Sequence, residues 1–262
     1  MKHWVNIVIK VAVTGAAGRM GTLIIDNVLK ASDMKLVGAF DIRGIGKQVG
    51  EVKIMDVKYL DGALKELKPD VLIDFTVASG AVENVKTATK NKVNLVVGTT
   101  GFTEEQRKEM EQAIGKNVAA VISSNFSVGV NVFWKILEFA ASYLRDFDIE
   151  ILEAHHRFKK DAPSGTAKTS AEVILKALKK ELALKYGREG LRERGAEIGI
   201  HAIRAGDIVG EHTVLFAGDG ERIEITHRAH SRQAFASGAI KAAKWVVTAE
   251  KGLHSYSEVL GL

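Results

Sequence analysis

Residues 153–167 read EAHHRFKKDAPSGTA, and within that span lie two adjacent histidines, three cations, two carboxylates and one of only two prolines in the chain. Imidazole titrates near neutrality and a partly desolvated lysine can hold or donate a proton, so His155 and Lys159 are candidates for acid–base work. Ser164, Gly165 and Thr166 open an amphipathic stretch whose first N–H groups can receive a carboxylate. Pro163 fixes φ ahead of that turn and Gly165 permits backbone conformations closed to other residues. The two roles are compatible, since Lys159 and the turn together could clamp two separate carboxylates. A metal site of Glu153, His155, His156 and Asp161 is disfavoured, because adjacent strand residues point to opposite faces. The competing reading is a solvated polar loop, which is the expectation for Arg157 and Lys160. Surface or hydrogen-bonded structural roles are expected for His201, His212, His227, His230 and His254.

A second chemical signal lies near the start. Gly15, Gly18 and Gly21 form G-x-x-G-x-x-G with Ala16, Ala17, Arg19 and Met20 between them. Gly15 suits a tight turn, Gly18 lets backbone approach a pyrophosphate, and Gly21 allows a helix to pack closely on a strand. Asp41 follows Gly21 at the distance where a carboxylate can accept hydrogen bonds from the adenosine ribose, which favours NAD. Arg43 and Arg19 are cations for a 2′-phosphate, so use of both NADH and NADPH is expected.

These residues need elements to position them. VNIVIKVAV at 5–13 is nearly continuous in apolar character, as in a strand buried on both faces of a parallel sheet. After the glycine turn, Leu23, Ile24, Val28 and Leu29 share one helical face, and MKLVGAFD then reads as a second strand. VLIDFT (71–76), NLVVGTTG (94–101) and AAVISSNF (119–126) repeat the pattern around helical stretches at 79–91 and 103–114. Such alternation predicts a doubly wound parallel sheet with ligands beyond the carboxyl ends of its strands. From 127 the pattern changes to a long amphipathic helix, a strand DIEILEAHH, and a helix over KTSAEVILKALKKELALK. Three further strands, GIHAIRAG, EHTVLFAG and RIEITHRA, then predict an α+β unit with a mostly antiparallel or mixed sheet. SGAIKAAKWVVTAEKGL closes the chain as a helical segment.

Composition narrows the chemistry. The 262 residues are 46% hydrophobic and 26% charged, which fits a globular protein of one large or two modest domains. There is no cysteine, which removes thiolate nucleophiles, disulfides and cysteine-ligated metals. The net charge of +5 is spread through helical segments and not gathered in a basic block, so a nucleic-acid partner is not expected and anionic small molecules suit it. No apolar run approaches the ~20 residues of a spanning helix, and the start of the chain runs into a strand, so a cytoplasmic protein without a membrane partner is expected.

The chain resembles the 4-hydroxy-tetrahydrodipicolinate reductase (dihydrodipicolinate reductase) family. The stretches that carry the likeness are VAVTGAAGRMG, DFT at 74–76, VVGTTGF at 96–102, SNFSVGVNV at 124–132, EAHHRFKKDAPSGTA, IRAGDIVGEHTVLFAGDGERIEITHRAHSR at 203–232 and FASGAIKAAKW at 235–245. The resemblance implies a Rossmann-like domain over 1–126 and 236–262, and a substrate-binding domain over 127–235 that builds a homotetramer. It implies reduction of a cyclic dicarboxylate by NADH or NADPH without a metal. His155 and Lys159 would be catalytic, and His156, Lys159, Ser164, Gly165 and Thr166 would hold substrate. Cofactor contacts would fall on Gly15 to Gly21, Asp41, Phe75, Thr76, Gly98, Thr99, Thr100, Ser123, Ser124, Asn125 and Phe126. Family members often place an acid and an arginine side by side after the second strand, whereas Ile42 separates Asp41 from Arg43 here. A different reductase on the same scaffold and a non-catalytic dinucleotide sensor are the rival readings; a sensor has no use for the constellation from His155 to Thr166.

Overall fold

The computed structural model describes residues 8–262. The first three residues of the expected opening strand, Val5 to Ile7, lie outside them. Two compact units are present: Met1–Phe126 with Gln233–Leu262, and Ser127–Arg232.

The first unit runs β1 (Ile9–Thr14), α1 (Arg19–Lys30), β2 (Met34–Asp41), β3 (Gln48–Val49), β4 (Val52–Asp56), α2 (Leu60–Leu67), β5 (Val71–Asp74), α3 (Ala78–Lys90), β6 (Asn94–Val97), α4 (Glu104–Ile114) and β7 (Ala119–Ile122). The second holds α5 (Val128–Tyr143), β8 (Asp148–His155), α6 (Gly165–Leu178), β9 (Ala183–Tyr186), β10 (Glu197–Arg204), β11 (Gly210–Gly218) and β12 (Glu221–Ala229). The chain then completes the first unit with α7 (Gln233–Val246), β13 (Gly252–His254) and α8 (Tyr256–Leu260).

Sheet order in the first unit is β13-β7-β6-β5-β1-β2-β4-β3, parallel throughout except for the β3–β4 hairpin. The period of two in β1 sends Val11 and Val13 to one face, against α1 and α7, and Ala12 to the other, against α2, α3 and α4. Burial on both faces explains the near-continuous apolar strands. The order reverses at β1, whose neighbours are β2 and β5, so their carboxyl-end loops meet there. Gly15 sits at φ +76°, and a Cβ on it would lie 2.4 Å from the Phe75 carbonyl oxygen. A Cβ on Gly21 would lie 2.0 Å from the Gly15 carbonyl oxygen, so only glycine lets α1 start this close to the turn.

In the second unit the order is β12-β11-β8-β10-β9, antiparallel across β12–β11–β8 and parallel across β8–β10–β9, a mixed sheet. Ile149 and Ile151, Ile198 and Ile200, and Val214 and Phe216 form one face, covered by Phe133, Leu137 and Ala141 of α5 and Ala167, Ala171, Ile174 and Leu178 of α6. Continuing each strand by steps of two on that face leads from apolar to polar residues: Glu153 and His155 on β8, Arg204 on β10, His212 on β11. Register holds them together, with Arg204 opposite His155 and His212 opposite Glu153.

Two segments depart from expectation. The stretch KTSAEVILKALKKELALK is not one helix: α6 stops at Leu178, Lys179 caps it at φ +53°, and Ala183–Tyr186 pairs with β10 as an edge strand. Sheet pairing overrides the helical propensity of that sequence. The closing segment likewise leaves the helix after Val246, and Gly252–His254 adds a parallel strand beside β7.

Gly21→Ala forces a Cβ into backbone that cannot rotate away. We expect a loss of about 1–3 kcal/mol in unfolding free energy, the cost of overpacking, read from urea denaturation; an unchanged midpoint would show that the α1–turn contact is looser than these distances.

Candidate active site

Each strand that ends in the polar corner of the second unit contributes to a single hydrogen-bonded cluster. Glu153 is its centre, at 1% exposure. Its Oε1 accepts from Arg204 Nη2 at 2.7 Å and from the Ser164 N–H at 3.0 Å. Its Oε2 accepts from Arg204 Nη1 at 2.8 Å and from His155 Nδ1 at 2.6 Å. Burial pushes this carboxyl up, but the hydrogen bonds from His155, Arg204 and the Ser164 N–H outweigh it and hold it at about 2. An ionised Glu153 accepts only, so the His155 nitrogen facing it carries the hydrogen and Nε2 is left for other partners. Arg204 also donates to the Asp161 carbonyl at 2.7 Å, which draws the 157–163 segment toward the sheet.

Ser164 caps α6. Its hydroxyl accepts from the Ala167 N–H at 3.2 Å and pairs with His212 Nε2 at 3.0 Å, and the residue is 2% exposed. Gly165 and Thr166 precede Ala167 in the first turn, where helix geometry directs N–H groups outward along the axis. His212 is buried, and burial pushes its imidazole down to about 3, so it is neutral at physiological pH. It meets His155 edge to face, with ring centroids 5.2 Å apart. Lys159 pairs with Asp161 at 2.9 Å and is largely covered, and His156 turns toward Phe158, with centroids 6.5 Å apart. Among the described residues no cluster of three or more His, Asp or Glu side chains is arranged to hold a metal ion. Arg157 and Lys160 are exposed.

In the first unit the sequence-predicted residues gather at the carboxyl ends of β1, β2, β5, β6 and β7. Asp41 is buried and binds the glycine turn, its carboxylate accepting from the Ala17 N–H at 2.9 Å and from the Arg43 N–H at 3.0 Å. Arg19 and Arg43 are exposed. The Phe75 ring lies over Gly98, where a Cβ would come within 2.1 Å of it, and 5.9 Å from the Phe126 ring. Thr76 and Thr99 are tied to each other and to Asp74, a fully buried acid that accepts from Thr14 Oγ1, Thr99 Oγ1 and Asn84 Nδ2 at 2.7 Å each and from Thr76 Oγ1 at 2.9 Å. Thr100 and Ser124 are exposed, and Ser123 closes a local turn with the Asn125 backbone.

Sequence reasoning does not assign four members to these networks. Arg204 and Asp74 are not singled out by it, Glu153 is weighed only as a metal ligand, and His212, expected in a hydrogen-bonded structural role, has that role with Ser164, the partner being what the sequence does not show. A signal existed: Glu153, Arg204 and His212 each sit in phase with the buried apolar residues of their own strand. His201 and His254 do have the structural roles expected, paired with Glu150 at 2.7 Å and Glu258 at 2.8 Å.

A Rossmann-like unit with a glycine turn, joined in one chain to a histidine–lysine–helix constellation, defines an oxidoreductase. Residues 9–126 match the family "Dihydrodipicolinate reductase, N-terminus", and residues 129–260 match "Dihydrodipicolinate reductase, C-terminus". The chain belongs to the dihydrodipicolinate reductase family. It is 57% identical over 264 residues to the 4-hydroxy-tetrahydrodipicolinate reductase of Methanosarcina mazei, covering 97% of this chain and 100% of that one. Identity to the enzyme of the same name in Methanocaldococcus jannaschii is 56% over 268 residues, covering 97% and 98%. Among solved structures, the dipicolinate-bound dihydrodipicolinate reductase from Paenisporosarcina sp. TG-14 matches with a TM-score of 0.77 at 30% identity, over 96% of this chain and 98% of that one.

The depressed Glu153 carboxyl makes folding pH-dependent. Its folded value lies below the usual 4.5, so the stability it adds is complete above 4.5 and is lost as pH falls toward about 2. We expect the urea midpoint of the protein to fall through that window, and Glu153→Gln to be less stable at neutral pH but to show a shallower slope there. Parallel slopes for the two proteins would place the acid sensitivity elsewhere.

Proposed function

We propose that the protein converts 4-hydroxy-tetrahydrodipicolinate to tetrahydrodipicolinate with NADH or NADPH, a step of diaminopimelate and lysine biosynthesis in which the hydroxyl leaves as water and the unsaturated cyclic dicarboxylate so formed takes up a hydride and a proton. The observation that carries this reading is the constellation of His155, Lys159 and the capped α6 turn, in a chain of this family. A cyclic dicarboxylate is the ligand its chemistry suits. Gly165 and Thr166 offer first-turn N–H groups to one carboxylate, to which His156 is also assigned, and Ser164 shapes that turn by capping it. Lys159 takes the other carboxylate in exchange for Asp161, its present partner at 2.9 Å. His155 or Lys159 delivers the proton to the ring carbon next to the one that receives the hydride, as negative charge develops there.

The first unit suits a dinucleotide. Gly18 caps α1 without a side-chain hydrogen bond, as Tyr59 and Val77 do α2 and α3, whereas α4, α5, α6 and α8 each have a serine or threonine side chain on their opening amides. The opening amides of α1 are therefore available to a pyrophosphate. Asp41 uses two of its four lone-pair positions on backbone amides and offers the others to the adenosine ribose. Arg43 and Arg19 offer cations to a 2′-phosphate. Phe75, Thr76, Gly98, Thr99, Thr100 and the segment Ser123 to Phe126 form the floor for the nicotinamide half. When bound, the dinucleotide supplies the hydride.

In this reading Met1–Phe126 with the closing helical segment is the dinucleotide-binding domain, and the intervening residues bind substrate and assemble a homotetramer. The protein works in the cytoplasm. No helix among the described residues is long and apolar enough to cross a membrane.

Loss of NADH or NADPH absorbance on addition of freshly made 4-hydroxy-tetrahydrodipicolinate tests the activity; no turnover with either cofactor in the folded protein would overturn it. His155→Ala and Lys159→Ala should each lower kcat by about 10²-fold or more with dinucleotide affinity unchanged. Wild-type rates in both variants would remove these residues from the chemistry.

A further inference from the structure

Acid–base catalysis by an imidazole requires that one ring nitrogen be committed and the other be presented to the substrate. In the second unit that commitment is made by a carboxylate with no substrate role of its own. Glu153 is two residues before His155 on β8, on the same face, and its Oε2 lies 2.6 Å from His155 Nδ1. It is buried too deeply to meet a ligand, at 1% exposure. Its orientation is fixed by the two Arg204 nitrogens at 2.7 and 2.8 Å, a fork-to-fork pair that leaves the carboxylate plane no freedom to rotate. The oxygen not bonded to His155 accepts from the Ser164 N–H at 3.0 Å, so the same group also holds the residue that caps α6.

We infer that Glu153, clamped by Arg204, is the positioning residue of the proton-transfer step: it fixes His155 as the Nδ1–H tautomer, dedicates Nε2 to the reaction and holds the ring in register with the anion-receiving turn. This rests on the reading above in which His155 handles the proton. The doubly protonated ring gives up its Nε2 proton; that N–H bond breaks, its electron pair stays on nitrogen, and a C–H bond forms on the substrate carbon next to the one that has received the hydride. Nδ1 keeps its hydrogen throughout, and Glu153 remains an anion, stabilising the imidazolium before transfer. Arg204 keeps Glu153 from taking that proton itself, because a guanidinium on both oxygens disfavours the neutral acid.

Glu153→Gln tests this directly. An amide cannot accept from Arg204 on both sides, and its NH2 facing His155 favours the opposite tautomer. We expect kcat to fall by about 10²-fold with dinucleotide affinity unchanged and a much smaller change in KM. Glu153→Asp should recover part of the rate. A role confined to stability would lower the amount of folded enzyme and leave kcat per folded molecule unchanged. Nitrogen-15 spectra of histidine-labelled wild-type protein give a readout that needs neither activity nor a variant: His155 in its neutral form should be the Nδ1–H tautomer. A neutral wild-type His155 protonated on Nε2 would overturn the inference, as would a wild-type kcat in a folded Glu153→Gln. If Glu153→Gln does not fold, Arg204→Lys carries the kinetic test, with a smaller fall in kcat expected and an unchanged rate counting against the clamp. Absence of turnover in the wild type would overturn the substrate assignment alone, and the tautomer measurement would still decide the role of Glu153.

Discussion

A carboxylate cannot sit in a protein interior as an anion without partners, because removing it from water costs several kcal/mol even after relaxation. Glu153 occupies such a position, and the second unit is arranged around meeting that requirement. β10 supplies Arg204 in register with His155. The loop after β8 folds back so that its Ser164 N–H reaches Oε1, and β8 itself provides the His155 ring. Each of these partners belongs to the corner where the core turns polar. The order of strands in the sheet brings these groups together: β8 lies between β10, which carries the cation, and β11, which carries His212.

Ser164 links that electrostatic constraint to the helix. Its N–H satisfies Glu153, its hydroxyl satisfies Ala167 and pairs with a neutral His212, and together these bonds set where α6 begins. The turn that is suited to an anion is thus held by the same acid that orients the imidazole. A shift of either would be felt by the other through one carboxylate, whose two oxygens divide the work between Ser164 and His155.

The sequence made much of this legible. Parallel strands buried on both faces announce themselves as apolar runs, and the glycine turn and the 153–167 stretch carry their chemistry in contiguous residues. What stayed hidden depended on pairing between distant segments. Arg204 meets Glu153 across 51 positions, and His212 meets Ser164 across 48. No local pattern marks such partners until the sheet order is known. The edge strands β9 and β13 were missed for a related reason. At four and three residues they have no periodicity to detect, and they exist because β10 and β7 leave an edge to pair with.

Asp74 shows by contrast why Glu153 is more than scaffolding. Both acids are buried and both collect donors from several elements. Among the described residues the Asp74 side chain is met by Thr14, Thr76, Asn84 and Thr99, whose hydroxyls and amides keep their protons through any reaction, so the knot it ties between β1, β5, β6 and α3 is static. Glu153 is met by an imidazole, a donor whose charge changes, and by a guanidinium, whose charge does not. The fixed cation keeps Glu153 ionised, so the carboxylate goes on accepting from His155 Nδ1. An acid held by a permanent cation can fix the orientation of an imidazole without titrating itself, and in the second unit Glu153 has Arg204 for that cation and His155 for that ring.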